Sequence, residues 1–97
     1  MTAAPTGFRQ QVTRTAQQLA FAHNDAEQRR AALEAERDTV TRGFDRLALR
    51  QVLGQATEVD VREAEDRLDE VERELRRVSG ALRELKSQRG AIRAIRR

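Results

Sequence analysis

The clearest pattern in the chain lies in its second half, where Val61, Ala64, Leu68, Val71, Leu75, Val78, Leu82, Leu85 and Ile92 recur at alternating spacings of three and four. This is a heptad repeat with both seam columns apolar, and only Arg89 interrupts it. Period-two alternation is absent, so a strand reading fails. In the first half, Val12, Leu19, Ala26, Leu33, Val40 and Leu47 follow one another at intervals of seven. The companion column is mixed at either offset: Thr15, Ala22, Arg29, Glu36 and Gly43, or Ala16, His23, Arg30, Arg37 and Phe44. The first helix therefore offers a narrow apolar stripe and the second a full one.

The strongest stop-and-start signal is the stretch from Val52 to Asp60. Gly54 can take the left-handed conformation that ends a helix. Thr57 can cap the next helix, with Glu58 and Asp60 in its first turn beside the exposed N–H groups. The single proline, Pro5, sits where a first helical turn tolerates it. The pattern predicts two helices, about 6–53 and 58–96, after a flexible N-terminus at 1–5, with residues 6–97 forming one domain. Asn24-Asp25-Ala26-Glu27 offers a competing helix start, but the phase from Leu19 through Ala26 to Leu33 runs through it undisturbed, which favours continuity. Gly43, Gly80 and Gly90 each weaken a helix by about 1 kcal/mol relative to Ala, and are read as fraying or close approach.

A short turn makes neighbouring helices antiparallel. Facing residues then share a constant index sum, and Leu47 with Ala64, Val40 with Val71, Leu33 with Val78, Ala26 with Leu85 and Leu19 with Ile92 all sum to 111. The predicted fold is all-α: an antiparallel coiled-coil helical hairpin of roughly 60 Å at 1.5 Å per residue. It is expected to assemble into a dimer or four-helix bundle, because two helices alone bury little. Leu75 and Leu82 would face Glu36 or Arg37 and Arg29 or Arg30, leaving each leucine partly wet unless arginine stems cover it. The expected helix–helix and oligomer interface comprises Leu19, Leu33, Val40, Leu47, Leu68, Val71, Leu75, Val78, Leu82, Leu85 and Ile92. Phe21 and Leu49 share another column and form a candidate second apolar surface.

Composition sharpens the picture. Of 97 residues, 36% are charged and 3% aromatic, with no cysteine. That excludes a disulfide scaffold, and no apolar run approaches the roughly 18 residues a membrane span needs. No export signal is evident at the start, so a cytoplasmic location is expected. Charge is segregated. Residues 58–75 carry nine acids and three arginines, a balance of −6, whereas residues 76–97 carry eight bases against Glu84, a balance of +7. Arg9 and Arg14 add to the end where the termini meet, giving it about +9 against −6 at the turn. Acidic-on-basic antiparallel association follows from that segregation.

The basic end suggests phosphate contacts through Arg89, Arg93, Arg96 and Arg97. Against nucleic acid stand a net charge of only +3 and the lack of any aromatic residue in that stretch. Catalysis has no foothold, with no cysteine, one histidine and no Gly-rich phosphate loop. His23 and Glu27 could make a two-ligand cation site but read more simply as a polar seam pair. No metal, cofactor or catalytic residue is expected. By length and outline the chain resembles the small helical-hairpin secretion substrates marked by Trp-x-Gly in the turn. Here the turn reads Leu53-Gly54 and no Trp occurs, so the resemblance is confined to outline. Helical hairpins of this size also serve as phage scaffolds, virion components and secretion chaperones. The sequence supports a non-catalytic, self-associating structural, scaffold or adaptor protein, possible helical partners included, with a basic-tailed nucleic-acid binder as the alternative.

Overall fold

A computed structural model describes the backbone of residues 3–96 and the side chains of residues 7–95. It contains two helices, α1 (Ala3–Val52) and α2 (Glu58–Arg96), packed against each other as an antiparallel hairpin. Both are rich in Ala, Leu, Arg and Glu, residues that lose little on entering a helix. The chain passes Asn24 without a break, so the cap signal there is overridden by the apolar phase that runs through it. Of the expected flexible segment, Met1 and Thr2 lie outside the described residues, while Ala3–Pro5 belong to the first turn of α1.

The bend is built from local hydrogen bonds. Gly54 has φ 72°, and its N–H donates to the Gln51 carbonyl at 3.0 Å while the Gln55 N–H donates to Arg50 at 2.7 Å. These two bonds are a Schellman motif, which satisfies carbonyls that the end of α1 would otherwise leave open. Three residues later Thr57 caps α2. Its Oγ1 accepts from the Asp60 N–H at 3.2 Å, and the Asp60 carboxylate accepts from the Thr57 N–H at 3.1 Å and from its hydroxyl at 2.9 Å. This is a capping box with Asp in place of the usual Glu. The donation from Thr57, backbone first and then hydroxyl, holds the Asp60 carboxyl below the ordinary carboxylate value, with a smaller contribution from Arg50.

Register holds along the shaft. Leu33, Val71 and Leu75 form the buried centre, with Val78 packed against them. Leu47 and Ala64 line one shallow depression near the turn, and Leu19 and Ile92 line another towards the far end. Each of these facing pairs keeps the index sum of 111. Two ion pairs across the seam, Arg29–Glu74 at 2.6 Å and Glu36–Arg67, both sum to 103 and lie one heptad apart. A slipped or stuttered register could not keep both sums constant. The mixed column of α1 is also resolved. Ala16, His23 and Phe44 are half-buried while Thr15 and Ala22 are exposed, but Glu36 and Gly43 also edge inwards near the turn. A 3.6-residue helix drifts against a seven-residue repeat, so the contact line crosses from one offset to the other.

The rod is longer than the sequence suggested, 79 Å by 16 Å by 15 Å. The expected 60 Å corresponds to α2 alone, whereas the 50 residues of α1 span about 75 Å. In this register Arg96 lies beside Thr15, so residues 3–14 run past the last described turn of α2. Gly43, Gly80 and Gly90 are all within helices, and at none of them does the hairpin itself crowd a would-be Cβ. Close approach within the chain therefore does not explain them.

Replacing Gly54 with Ala forces an ordinary side chain into a left-handed backbone and should cost about 1–2 kcal/mol, read by thermal unfolding. Thr57→Ala should cost about 1 kcal/mol. Because the folded pKa of Asp60 is depressed, its stabilisation is complete above the ordinary carboxylate value and is lost as pH falls through the lowered one. Asp60→Ala should thus lower Tm near about pH 7, and the gap from the unaltered chain should narrow only as pH falls below the ordinary carboxylate value.

Candidate interaction surfaces

Only Leu33, Val71, Leu75 and Leu82 are buried among the described side chains. Of the other expected interface residues, Leu19, Val40, Leu47, Leu68, Val78, Leu85 and Ile92 are half-buried along the same seam. Leu75 and Leu82 retain 8% and 6% of their surface, which corrects the expectation that they stay wet. Arg30 and Arg37 line the same groove as these two leucines, where long arginine stems can lie over apolar side chains. The stripe of α2 is thus largely consumed inside the hairpin.

The two flanks of the seam differ in electrostatics. On one, Arg29–Glu74 and Arg67–Glu36 tie the helices together, and Glu70 joins Arg67 at 2.9 Å. These groups are substantially exposed, so each pair contributes well under about 1 kcal/mol and acts mainly on alignment. The other flank is a groove whose floor is Leu75 and Leu82 and whose rims carry Arg30, Arg37, Arg76, Arg83 and Lys86 among Glu27, Glu34 and Glu72. Within it His23 Nε2 lies 3.5 Å from Glu27, and Arg30 lies 3.7 Å from Glu34. His23 has no further acidic or imidazole partner arranged for a cation: no group of three or more His, Cys, Asp or Glu among the described residues could hold a metal.

Apolar exposure is concentrated at the ends of the rod. Leu49, Val52, Leu53 and Val59 crowd the bend with 60%, 83%, 61% and 62% of their surfaces open. Sequence reasoning counted Leu49 but passed over the other three as turn residues. Their signal was present, since four large apolar residues surround Gly54 out of phase with the seam. Phe8, Phe21 and Ile95 are the exposed apolar residues towards the other end. Phe21 and Leu49 lie 28 residues apart on one helix, about 42 Å. They therefore form two separate spots and not the single second surface expected from their shared column.

At the basic end Arg89 is half-buried and Arg93 exposed, and both line a depression with Leu19 and Ile92. The side chain of Arg96 and the whole of Arg97 lie outside the described residues. No helix among the described residues is long and apolar enough to cross a membrane. Comparison with protein-family models, with curated proteins and with solved structures yields no match.

Leu33→Ala, which opens a void at the buried centre, should cost about 2–5 kcal/mol. Phe21→Ala, on the open surface, should stay within about 0.5 kcal/mol. Chemical denaturation of both variants separates seam from surface, and equal costs would contradict this assignment.

Proposed function

We propose that the chain is a non-catalytic, cytoplasmic coiled-coil protein that associates with itself and serves as a structural, scaffold or adaptor component. The observation that carries this reading is the surface a single hairpin leaves open. Its accessible area is 7612 Å², where a compact chain of this mass would expose roughly 5,700 Å². Among the described residues seven large apolar side chains remain more than half exposed, four around the bend and three towards the other end. Four buried leucine and valine side chains are a small return for ordering two long helices, so burial against another chain is the natural supplement. The grooves described are open troughs on a rod, a shape that favours contact over chemistry.

The basic sequence at this end, with Arg93 exposed, supports a second reading, contact of Arg89, Arg93, Arg96 and Arg97 with phosphates of a nucleic acid. The two are separated by removing residues 89–97. Light scattering on the full chain at micromolar concentration should give at least twice the 11.1 kDa of one chain, and a mass of one chain would contradict self-association. Fluorescence anisotropy with a labelled oligonucleotide at low salt should show no binding that depends on residues 89–97; binding lost on their removal, with the oligomer intact, would favour the second reading.

A further inference from the structure

One column of α2 carries a pattern that the hairpin does not use. Glu65, Glu72, Ser79, Lys86 and Arg93 follow at intervals of seven, so they form a single line along the helix, beside the seam. The signs along it run negative, negative, neutral, positive, positive. Reversing the direction of the line about Ser79 exchanges every acid with a base. Glu72, Ser79 and Lys86 line the groove described above, and Arg93 lines the next depression along the rod. The charged members are unpaired within the chain: among the described residues, none of Glu65, Glu72, Lys86 and Arg93 takes part in an ion pair. Of the α1 acids that reach the same groove, Glu34 lies 3.7 Å from Arg30, and Glu27 lies 3.5 Å from His23.

We propose that a second copy of this chain docks along this flank with its α2 antiparallel, about a two-fold axis at Ser79. This names the partner surface of the self-association reading and rests on it. The symmetry sets Glu65 beside Arg93 of the other copy and Glu72 beside its Lys86, and repeats both pairs in the opposite sense. All four unpaired charges are then met by a single isologous contact. The adjoining column reinforces the polarity, with Asp69 on the turn side and Arg83 on the far side, and Arg62 there is already neutralised by Glu58 at 3.7 Å. Arg76, and Arg37 on the α1 rim of the groove, run against the pattern. Ser79 at the axis is small enough for the two α2 helices to approach closely, and nothing in the hairpin covers the Cβ position of neighbouring Gly80 apart from the tip of Arg83 at 3.9 Å. A parallel arrangement would set like charge against like along the whole line, so the same column that attracts one geometry rejects the other.

The test uses four forms of the full chain: the unaltered one, Glu65→Lys/Glu72→Lys, Lys86→Glu/Arg93→Glu, and the chain carrying all four reversals. Sedimentation velocity reads the assembly and far-UV circular dichroism confirms helicity. The unaltered chain and the fourfold reversal, which restores the antisymmetric column, should both dimerise. Each half-reversed chain should show a dissociation constant raised about tenfold or more, since like charges now face each other. Mixing the two half-reversed chains should recover a dimer containing one of each. The absence of natural cysteine allows a second readout that leaves the charges intact: Ser79→Cys should form a disulfide-linked dimer under mild oxidation, and Ala32→Cys on the outer face of α1 should not. If the unaltered chain dimerises but the half-reversed chains do so equally well, or Ser79→Cys fails to cross-link, this docking face is wrong while self-association stands. If the unaltered chain is monomeric, both fall.

Discussion

The structure depends on one constraint: the bend at Gly54 must return the chain in the register that puts Leu33 against Val78 and keeps that alignment to both ends. The Schellman bonds from Gly54 and Gln55 fix where α1 stops, and the Thr57–Asp60 box fixes where α2 starts. With both ends pinned, no slack remains to shift the seam. A slip by one residue would turn Val71 and Leu75 out of the centre and bring charged neighbours in. The turn sets the register and the seam supplies the energy, since the surrounding ion pairs are too exposed to do so.

Where α1 is short of apolar residues it carries arginine. Arg30 and Arg37 stand where a fuller coiled coil would carry leucine, and both line the groove that holds Leu75 and Leu82. The groove over these leucines is consequently rimmed by charged side chains, Arg76, Arg83 and Lys86 of α2 among them. Strictly apolar exposure is displaced to the bend and the opposite end. The rod therefore presents chemically distinct surfaces along its side and towards its ends.

Much of this was legible in the sequence. The heptad phase gave both helices, Gly54 and Thr57 gave the bend, and the index sum gave the register before any coordinates. Three features were not. The start of α1 lay a few residues ahead of any periodic signal, and the expected rod length took α2 as its measure, although a first helix over 6–53 already implies about 72 Å. The burial of Leu75 and Leu82 turned on how the long side chains around them pack, a rotamer question that spacing cannot answer. Phe21 and Leu49 shared a column, yet a column on a 50-residue helix extends far beyond one patch. The apolar cluster around the bend could have been read, but turn chemistry claimed those residues first.

The central claim, one bend and two full-length antiparallel arms, is tested most directly by pulsed electron spin resonance on spin-labelled chains diluted in unlabelled protein. A label pair at Gln18 and Arg93, facing neighbours in this register, should give a separation under about 20 Å, since packed helices lie 8–10 Å apart. A pair at Gln18 and Gln51 should lie about 50 Å apart along an unbroken α1. A long first distance would mean that the arms do not close in this register, and a short second one would mean that α1 folds back near Asn24. Either result contradicts the hairpin described here.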